Sequence, residues 1–160
     1  FHERAYKGFI GWKEIPGIQW VNQTTKRHPV MIRRGDQVVA MLSLESPKIA
    51  IETGVRNGKA VFTLKVNLSG HVSEKDVVMG EEELEREAAK QVEKEIRETY
   101  LEGLKLGADL LGLEHAMYRQ KNRLWKSLRE SGGIRLTPDS LTIRVNVKLD
   151  HSGKLKNEGI

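Results

Sequence analysis

The fold of this chain is decided by residues 81–107, EEELEREAAKQVEKEIRETYLEGLKLG. No proline interrupts this stretch, and apolar residues recur every four positions, at Leu84, Ala88, Val92 and Ile96. Residues four apart lie on one face of an α-helix, so the pattern predicts one long helix with a single apolar stripe. About 27 residues at ~1.5 Å each give a rod of roughly 40 Å, which is long enough to cross a whole sheet.

Stretches typical of β-strands lie on both sides of this helix. Before it, alternation of apolar and polar residues predicts strands at Ala5–Ile10, Pro29–Arg34, Gln37–Glu45, Lys48–Thr53 and Ala60–Gly70, with Pro47 interrupting between the third and the fourth. After it, the cleanest alternation in the chain predicts a closing strand at Leu141–Leu149. Shorter helical segments are predicted at 12–24, 110–119 and 124–130. The order of elements predicts an α+β fold, with a mainly antiparallel sheet covered on one face by the long helix and the shorter helices.

The clearest local signal is Asn57-Gly58. This dipeptide accepts the positive φ angles of a type I′ turn, so Lys48–Thr53 and Ala60–Gly70 are expected to pair as a hairpin. In the second strand, one set of alternate residues should face the core and the other water or a partner. The first set is Phe62, Leu64, Val66 and Leu68, and the second is Thr63, Lys65, Asn67 and Ser69.

Composition is typical of one soluble globular domain spanning residues 1–160. The chain has no cysteine, which excludes disulfides, thiolate catalysis and zinc–thiolate sites. No apolar run approaches the ~18–20 residues that span a bilayer. The net charge of +5 is uneven, because the segment 81–118 is acidic and both flanking segments are basic. The flanks are either solvated surface or a basic face for anionic lipid or nucleic acid.

The sequence contains no convincing catalytic motif. The stretch 54–60 is one residue too short for a phosphate-binding loop and lacks the hydroxyl that binds Mg²⁺. No two of the five histidines lie three to five residues apart, so no metal-ligand pattern emerges. The residues therefore predict no enzyme activity, no cofactor and no required metal.

One basic segment contains a tryptophan. Arg119, Lys121, Arg123, Lys126 and Arg129 surround Trp125. Cations interleaved with an aromatic residue can contact nucleic acid or lipid headgroups. The alternative is that Trp125 and Leu128 pack inward and the cations are merely solvated. The candidate interaction surface is Trp125 with Arg119, Lys121, Arg123 and Lys126.

Four regions together resemble the C-terminal domain of the Ger(x)C family, the C subunits of spore nutrient-germinant receptors. The stretch Phe1–Trp12 is similar to the family's "FkkdklvGwL" opening, and Glu14–Trp20 is similar to its "E…rGllwl" stretch. The helix end Ala108–Gly112 resembles "aDifGfGe". Trp125, followed by the closing strand and Asp150–Gly153, is similar to the "W…v.v.v.i…G" ending. Residues 113–124 depart from the family pattern, so no role is carried over to them.

The resemblance implies a specific biology. The parent protein would be a lipoprotein, with a lipobox cysteine and further domains upstream of this C-terminal domain fragment. It would be lipid-anchored on the outer face of the spore inner membrane and act with the integral-membrane A and B subunits in germination. The family's C subunit is not known as an enzyme. The prediction is therefore a non-catalytic domain acting in receptor assembly, and the alternative is a soluble nucleic-acid-binding module that uses the basic segments.

Overall fold

The structure, a computed structural model, describes residues 16–21, 27–75 and 79–150. Within these ranges one sheet has the order β1-β2-β3-β4, with strands β1 (Arg27–Arg34), β2 (Gln37–Arg56), β3 (Lys59–Lys75) and β4 (Leu141–Leu149). The helices are α1 (Glu81–Leu106), α2 (Leu113–Gln120) and α3 (Asn122–Glu130), with 3₁₀ turns at Pro16–Val21 and Pro138–Ser140. Strand β2 pairs antiparallel with both β1 and β3, which confirms the predicted α+β fold with a mainly antiparallel sheet. The strand predicted at 5–10 lies outside the described residues.

Strand β2 is longer than predicted, because it continues through Pro47 for 20 residues. The pairing of β2 with β3 shifts between Glu45 and Lys48, and Ser46 takes a left-handed φ of 55°. Proline has no N–H to donate to the ladder, but a bulge leaves a residue unpaired and tolerates this. The two predicted strands are therefore one strand with a bulge.

The β2–β3 hairpin forms as predicted. Asn57 and Gly58 both adopt positive φ, 54° and 76°, between the paired residues Arg56 and Lys59. The predicted inward-facing residues of β3 are all buried, namely Phe62, Leu64, Val66 and Leu68. The alternate residues of β3 lie on the opposite face, so the sheet has one core face and one outer face.

Helix α1 confirms the periodicity in the sequence. Leu84, Ala88, Val92 and Ile96 are buried in the same core as the inward face of the sheet. The helix ends at Gly107, whose left-handed φ of 65° lets the next N–H groups bond back to the last turn.

The closing strand joins the sheet in a direction that the sequence did not indicate, since β4 pairs parallel with β3. Side chains of α1 hold both ends of β4. Arg97 donates to the carbonyl of Leu141 at 2.9 Å, and Glu85 accepts the N–H of Leu149 at 2.8 Å. A parallel neighbour needs a long crossover, and the three helices between β3 and β4 supply it.

The 3₁₀ turn Pro16–Val21 packs tightly on α1. Trp20 is fully buried, and its indole N–H donates to the carboxylate of Glu95 at 2.8 Å. A Cβ on Gly17 would collide with the hydroxyl of Thr99 and the carbonyl of Glu95, so only glycine allows this approach. The turn therefore closes one side of the core.

Candidate interaction surface

The predicted surface begins where α2 meets α3. Lys121 separates the two helices with a non-helical φ of −137° and ψ of 66°. Its ammonium donates to the backbone carbonyl of Thr53 in β2 at 2.6 Å. Lys121 thus connects the α2–α3 junction to the hairpin. Its ammonium group is already hydrogen-bonded to a backbone carbonyl.

Trp125 is half-buried in an aromatic cluster whose middle ring is Tyr118. The ring of Tyr118 meets it edge-on, with centroids 4.8 Å apart and planes at 74°. His115 stacks on Tyr118 at 6.3 Å, and the guanidinium of Arg129 lies 5.0 Å from the Trp125 centroid. Edge-to-face and cation–π contacts of this kind fix the orientation of the rings. Trp125 therefore packs partly inward and keeps one side near solvent.

The other three predicted residues, Arg119, Arg123 and Lys126, are exposed. In α3, Leu124 and Leu128 turn towards the core, while Arg123 and Lys126 lie three positions apart on the opposite face. None of the three cations forms a salt bridge with another described residue. Of the five predicted residues, these three are available to a partner.

A shallow cleft of about 360 Å³ lies beside the aromatic cluster. It is lined by Asp109, Glu114, His115, Tyr118, Trp125 and Arg129. Asp109 accepts the N–H groups of Leu113 and Glu114, at 2.8 and 3.0 Å, and so caps the start of α2. This capping explains why α2 begins at Leu113, later than the sequence predicts. The part of the chain that the structure describes holds no group of three or more His, Asp or Glu arranged for a metal ion.

The outer face of the sheet forms a second surface. In the parallel β3–β4 register, Thr63 faces Thr142, Lys65 faces Arg144, Asn67 faces Asn146 and Ser69 faces Lys148. We call these eight residues the outer sheet face. Neighbouring strands lie about 4.8 Å apart, so these pairs form a continuous polar ladder.

One ion pair borders the outer sheet face. Lys65 donates to the carboxylate of Glu52 at 2.8 Å. That hydrogen bond and the Lys65 charge lower the pKa of the Glu52 carboxyl, and the Arg144 charge adds a smaller contribution. Lys65 is therefore partly neutralised, whereas Arg144 and Lys148 form no salt bridge with another described residue.

The sequence already places Arg129 beside Trp125, because it follows by four positions on one helix, and the cation–π contact agrees with this. Sequence reasoning missed the hairpin tip, which approaches Lys121. The hairpin tip, with Arg56 and Lys59, lies 60 or more residues earlier in the chain. Only the contact between Lys121 and Thr53 shows that the tip and the helices occupy one end of the molecule.

Comparison with known proteins adds two findings. The family model described as Spore germination B3/GerAC like, C-terminal matches residues 1–153. Among solved structures, a crystal structure of the GerBC protein matches with a TM-score of 0.69 and 17% sequence identity, over 89% of this chain. The match covers 46% of the GerBC chain, so this chain spans about half of its length. No curated protein matches the sequence.

Proposed function

The chain belongs to the spore germination B3/GerAC-like, C-terminal family, and we propose that it is a non-catalytic domain that assembles the C subunit into a spore nutrient-germinant receptor. The family match over residues 1–153 carries this proposal. The fold that the chain shares with GerBC, at a TM-score of 0.69 over 89% of this chain, supports it.

The proposed partners are the integral-membrane A and B subunits of the receptor. In this proposal the full-length protein is lipid-anchored on the outer face of the spore inner membrane, and this domain works beside the bilayer. Among residues 16–21, 27–75 and 79–150, no helix is long and apolar enough to cross a membrane. The proposed anchor is the lipid of the full-length protein, and this domain contributes contacts to the subunits.

We assign the subunit contact to the outer sheet face. A face built from Thr, Asn, Ser, Lys and Arg side chains can exchange hydrogen bonds with a polar partner without burying an unpaired apolar group. Arg144 and Lys148 give it two cations of β4 that are exposed and without a salt bridge to another described residue. Opposite charge on the partner would steer the encounter and fix the register.

The test uses charge reversal in the full-length receptor. We expect Arg144→Glu with Lys148→Glu to reduce co-purification of the A and B subunits and to slow nutrient-triggered germination. The matched control is Arg86→Glu with Lys94→Glu, which makes the same charge change at two exposed positions of α1. Equal co-purification in both double variants, with folding verified by circular dichroism, would remove the outer sheet face from the interface.

The part of the proposal that the domain requires no metal has a separate test. The sequence contains no nucleophile motif and no metal-ligand spacing, and the described carboxylate Asp109 serves as a helix cap. Dialysis against a chelator should leave the melting temperature unchanged. A large drop would show that a metal contributes to folding and would contradict this part of the proposal.

A further inference from the structure

The structure brings two distant basic segments to one end of the molecule. The ammonium of Lys121, at the α2–α3 junction, is bonded to the carbonyl of Thr53. Arg56 follows Thr53 by three residues on the same strand, which is about 10 Å. The tip of the β2–β3 hairpin therefore lies close to the helical junction. We call the cations of this end, apart from the engaged Lys121, the basic end: Arg56, Lys59, Arg119, Arg123, Lys126 and Arg129.

The two segments that form this end carry charge of one sign, and the neighbouring carboxylates Asp109 and Glu114 line the cleft beside them. Residues 53–59 and 115–129 contain these six cations and Lys121 but no Asp or Glu. No member of the basic end forms a salt bridge with another described residue. Clustered cations without carboxylates create a positive potential that attracts an anionic surface over about a Debye length.

The basic end also exposes apolar and aromatic groups. Val55 is 42% exposed and Tyr118 is 45% exposed, and they are two of the three large hydrophobic residues that the described chain leaves exposed. Trp125 lies directly against Tyr118. Aromatic rings with a polar edge are favoured at the headgroup level of a bilayer, and aliphatic side chains gain from entering its boundary.

We propose that the basic end is a peripheral membrane-contact surface that docks on bilayers containing anionic phospholipid. Cations and exposed apolar side chains on the same end match the two components of such a surface, the charged headgroups and the apolar boundary below them. The outer sheet face has comparable cations but Thr, Asn and Ser between them, so it lacks the second component. The inference goes beyond receptor assembly and stands whether or not the subunits bind the outer sheet face.

The orientation follows from the positions of these groups. With the α2–α3 junction on the headgroups, the exposed ring of Tyr118 and the half-buried ring of Trp125 lie beside the cations of those two helices. The acidic first turn of α1, with Glu81, Glu82 and Glu83, begins after β3 has run away from the hairpin tip. Repulsion between this turn and anionic lipid is therefore directed away from the contact, and the nearer carboxylates are Asp109 and Glu114 in the cleft.

The experiment measures co-sedimentation of the 160-residue chain with vesicles. One set contains phosphatidylcholine alone and the other contains 30% phosphatidylglycerol, at about 0.05 and 0.3 M NaCl. We expect binding to the anionic vesicles only, weakened by salt as screening increases. The variant Arg119→Gln/Arg123→Gln/Lys126→Gln should lower the partition coefficient about a hundredfold, because each cation near the surface contributes about a factor of five.

Two further variants test whether vesicle binding requires the basic end itself or only the net charge of the chain. The triple variant Arg33→Gln/Arg86→Gln/Lys94→Gln removes the same charge from exposed positions of β1 and α1 and should change binding less than threefold. Val55→Ser should lower binding several-fold while leaving its salt dependence intact. Circular dichroism verifies the fold of each variant, since exposed charges contribute little to stability.

Three results would overturn the inference. The first is no binding of the wild-type chain to anionic vesicles, and the second is an equal loss of binding in the two triple variants. The third is release of the bound chain from vesicles by a short single-stranded oligonucleotide at equimolar phosphate, which would assign the basic end to nucleic acid. These results do not depend on the A and B subunits, so they are distinguishable from failure of the proposed function.

Discussion

At the Asn57-Gly58 turn, the effect of backbone strain on stability can be measured without a steric clash. Gly58 has a φ of 76°, and a Cβ placed there would meet nothing within 4 Å. Any cost of a side chain at this position is therefore backbone strain and not a clash. An L-residue in the left-handed region costs about 1–2 kcal/mol, and a β-branched residue resists it most. Replacing glycine also lowers the conformational entropy of the unfolded chain, which offsets about 0.4–1 kcal/mol of this cost.

The difference between the strain and this offset is about 0–1.6 kcal/mol, and because valine is β-branched we expect Gly58→Val to lie in its upper part, a net loss of about 1–1.5 kcal/mol in the free energy of unfolding. A domain of this size loses about 2–4 °C per kcal/mol, so the melting temperature should fall by about 2–6 °C. The assay is thermal denaturation followed by circular dichroism, with urea denaturation to obtain the free energy.

Two control variants on the same hairpin test the reasoning. Asparagine tolerates positive φ, so Gly58→Asn should lose less than about 0.5 kcal/mol. Gly54 lies in β2 without positive φ, and a Cβ there would meet Val61 at an ordinary 3.7 Å. Gly54→Ala should be neutral or stabilise by up to about 1 kcal/mol. If Gly58→Val and Gly54→Ala melt at the same temperature, strain in the turn is not the cause.

Two further predictions concern the core. Ile96 is fully buried, so Ile96→Ala should cost about 2–5 kcal/mol in urea denaturation, whereas Lys94→Ala at an exposed position should stay within about 0.5 kcal/mol. Burial raises the pKa of the Tyr100 phenol, whose hydroxyl donates to the carbonyl of Thr137 at 2.6 Å. The folded state therefore holds this proton more tightly, so the stabilisation is complete below the unfolded pKa of about 10 and is lost as pH rises from there through the raised pKa of the folded state. Tyr100→Phe should be less stable at pH 7 but should show a shallower loss between about pH 9 and 11. A wild-type chain and a Tyr100→Phe variant with the same slope in that range would contradict this assignment.

Much of the fold is predictable because its signals are local. Four-residue spacing from Leu84 to Ile96 specifies the apolar stripe of α1 wherever the helix packs. Positive φ at Asn57-Gly58 specifies the hairpin, because few residue pairs accept a type I′ turn. The alternation in Leu141–Leu149 specifies a strand with one buried face, although it says nothing about the neighbour of that strand.

The candidate surface was predictable only in part. Sequence spacing placed Arg119, Lys121, Arg123 and Lys126 around Trp125 as one candidate surface, and the structure places the four cations at exposed positions. It gave no indication that Lys121 is bonded to a carbonyl 68 positions away. Such a bond depends on where the packing of two elements leaves an unpaired backbone group, and a helical pattern alone does not contain that information.

Periodicity, turn chemistry and motif order are written along the chain, so the sequence alone specifies the long helix with its apolar stripe, the hairpin, the closing strand and the family. Three outcomes depend on tertiary structure: β4 runs parallel to β3, β2 continues through Pro47, and the hairpin tip lies near the α2–α3 junction. These outcomes follow from hydrogen-bond partners and buried contacts between residues far apart in sequence. The free energy of those contacts depends on the packed arrangement as a whole, so no local stretch specifies them.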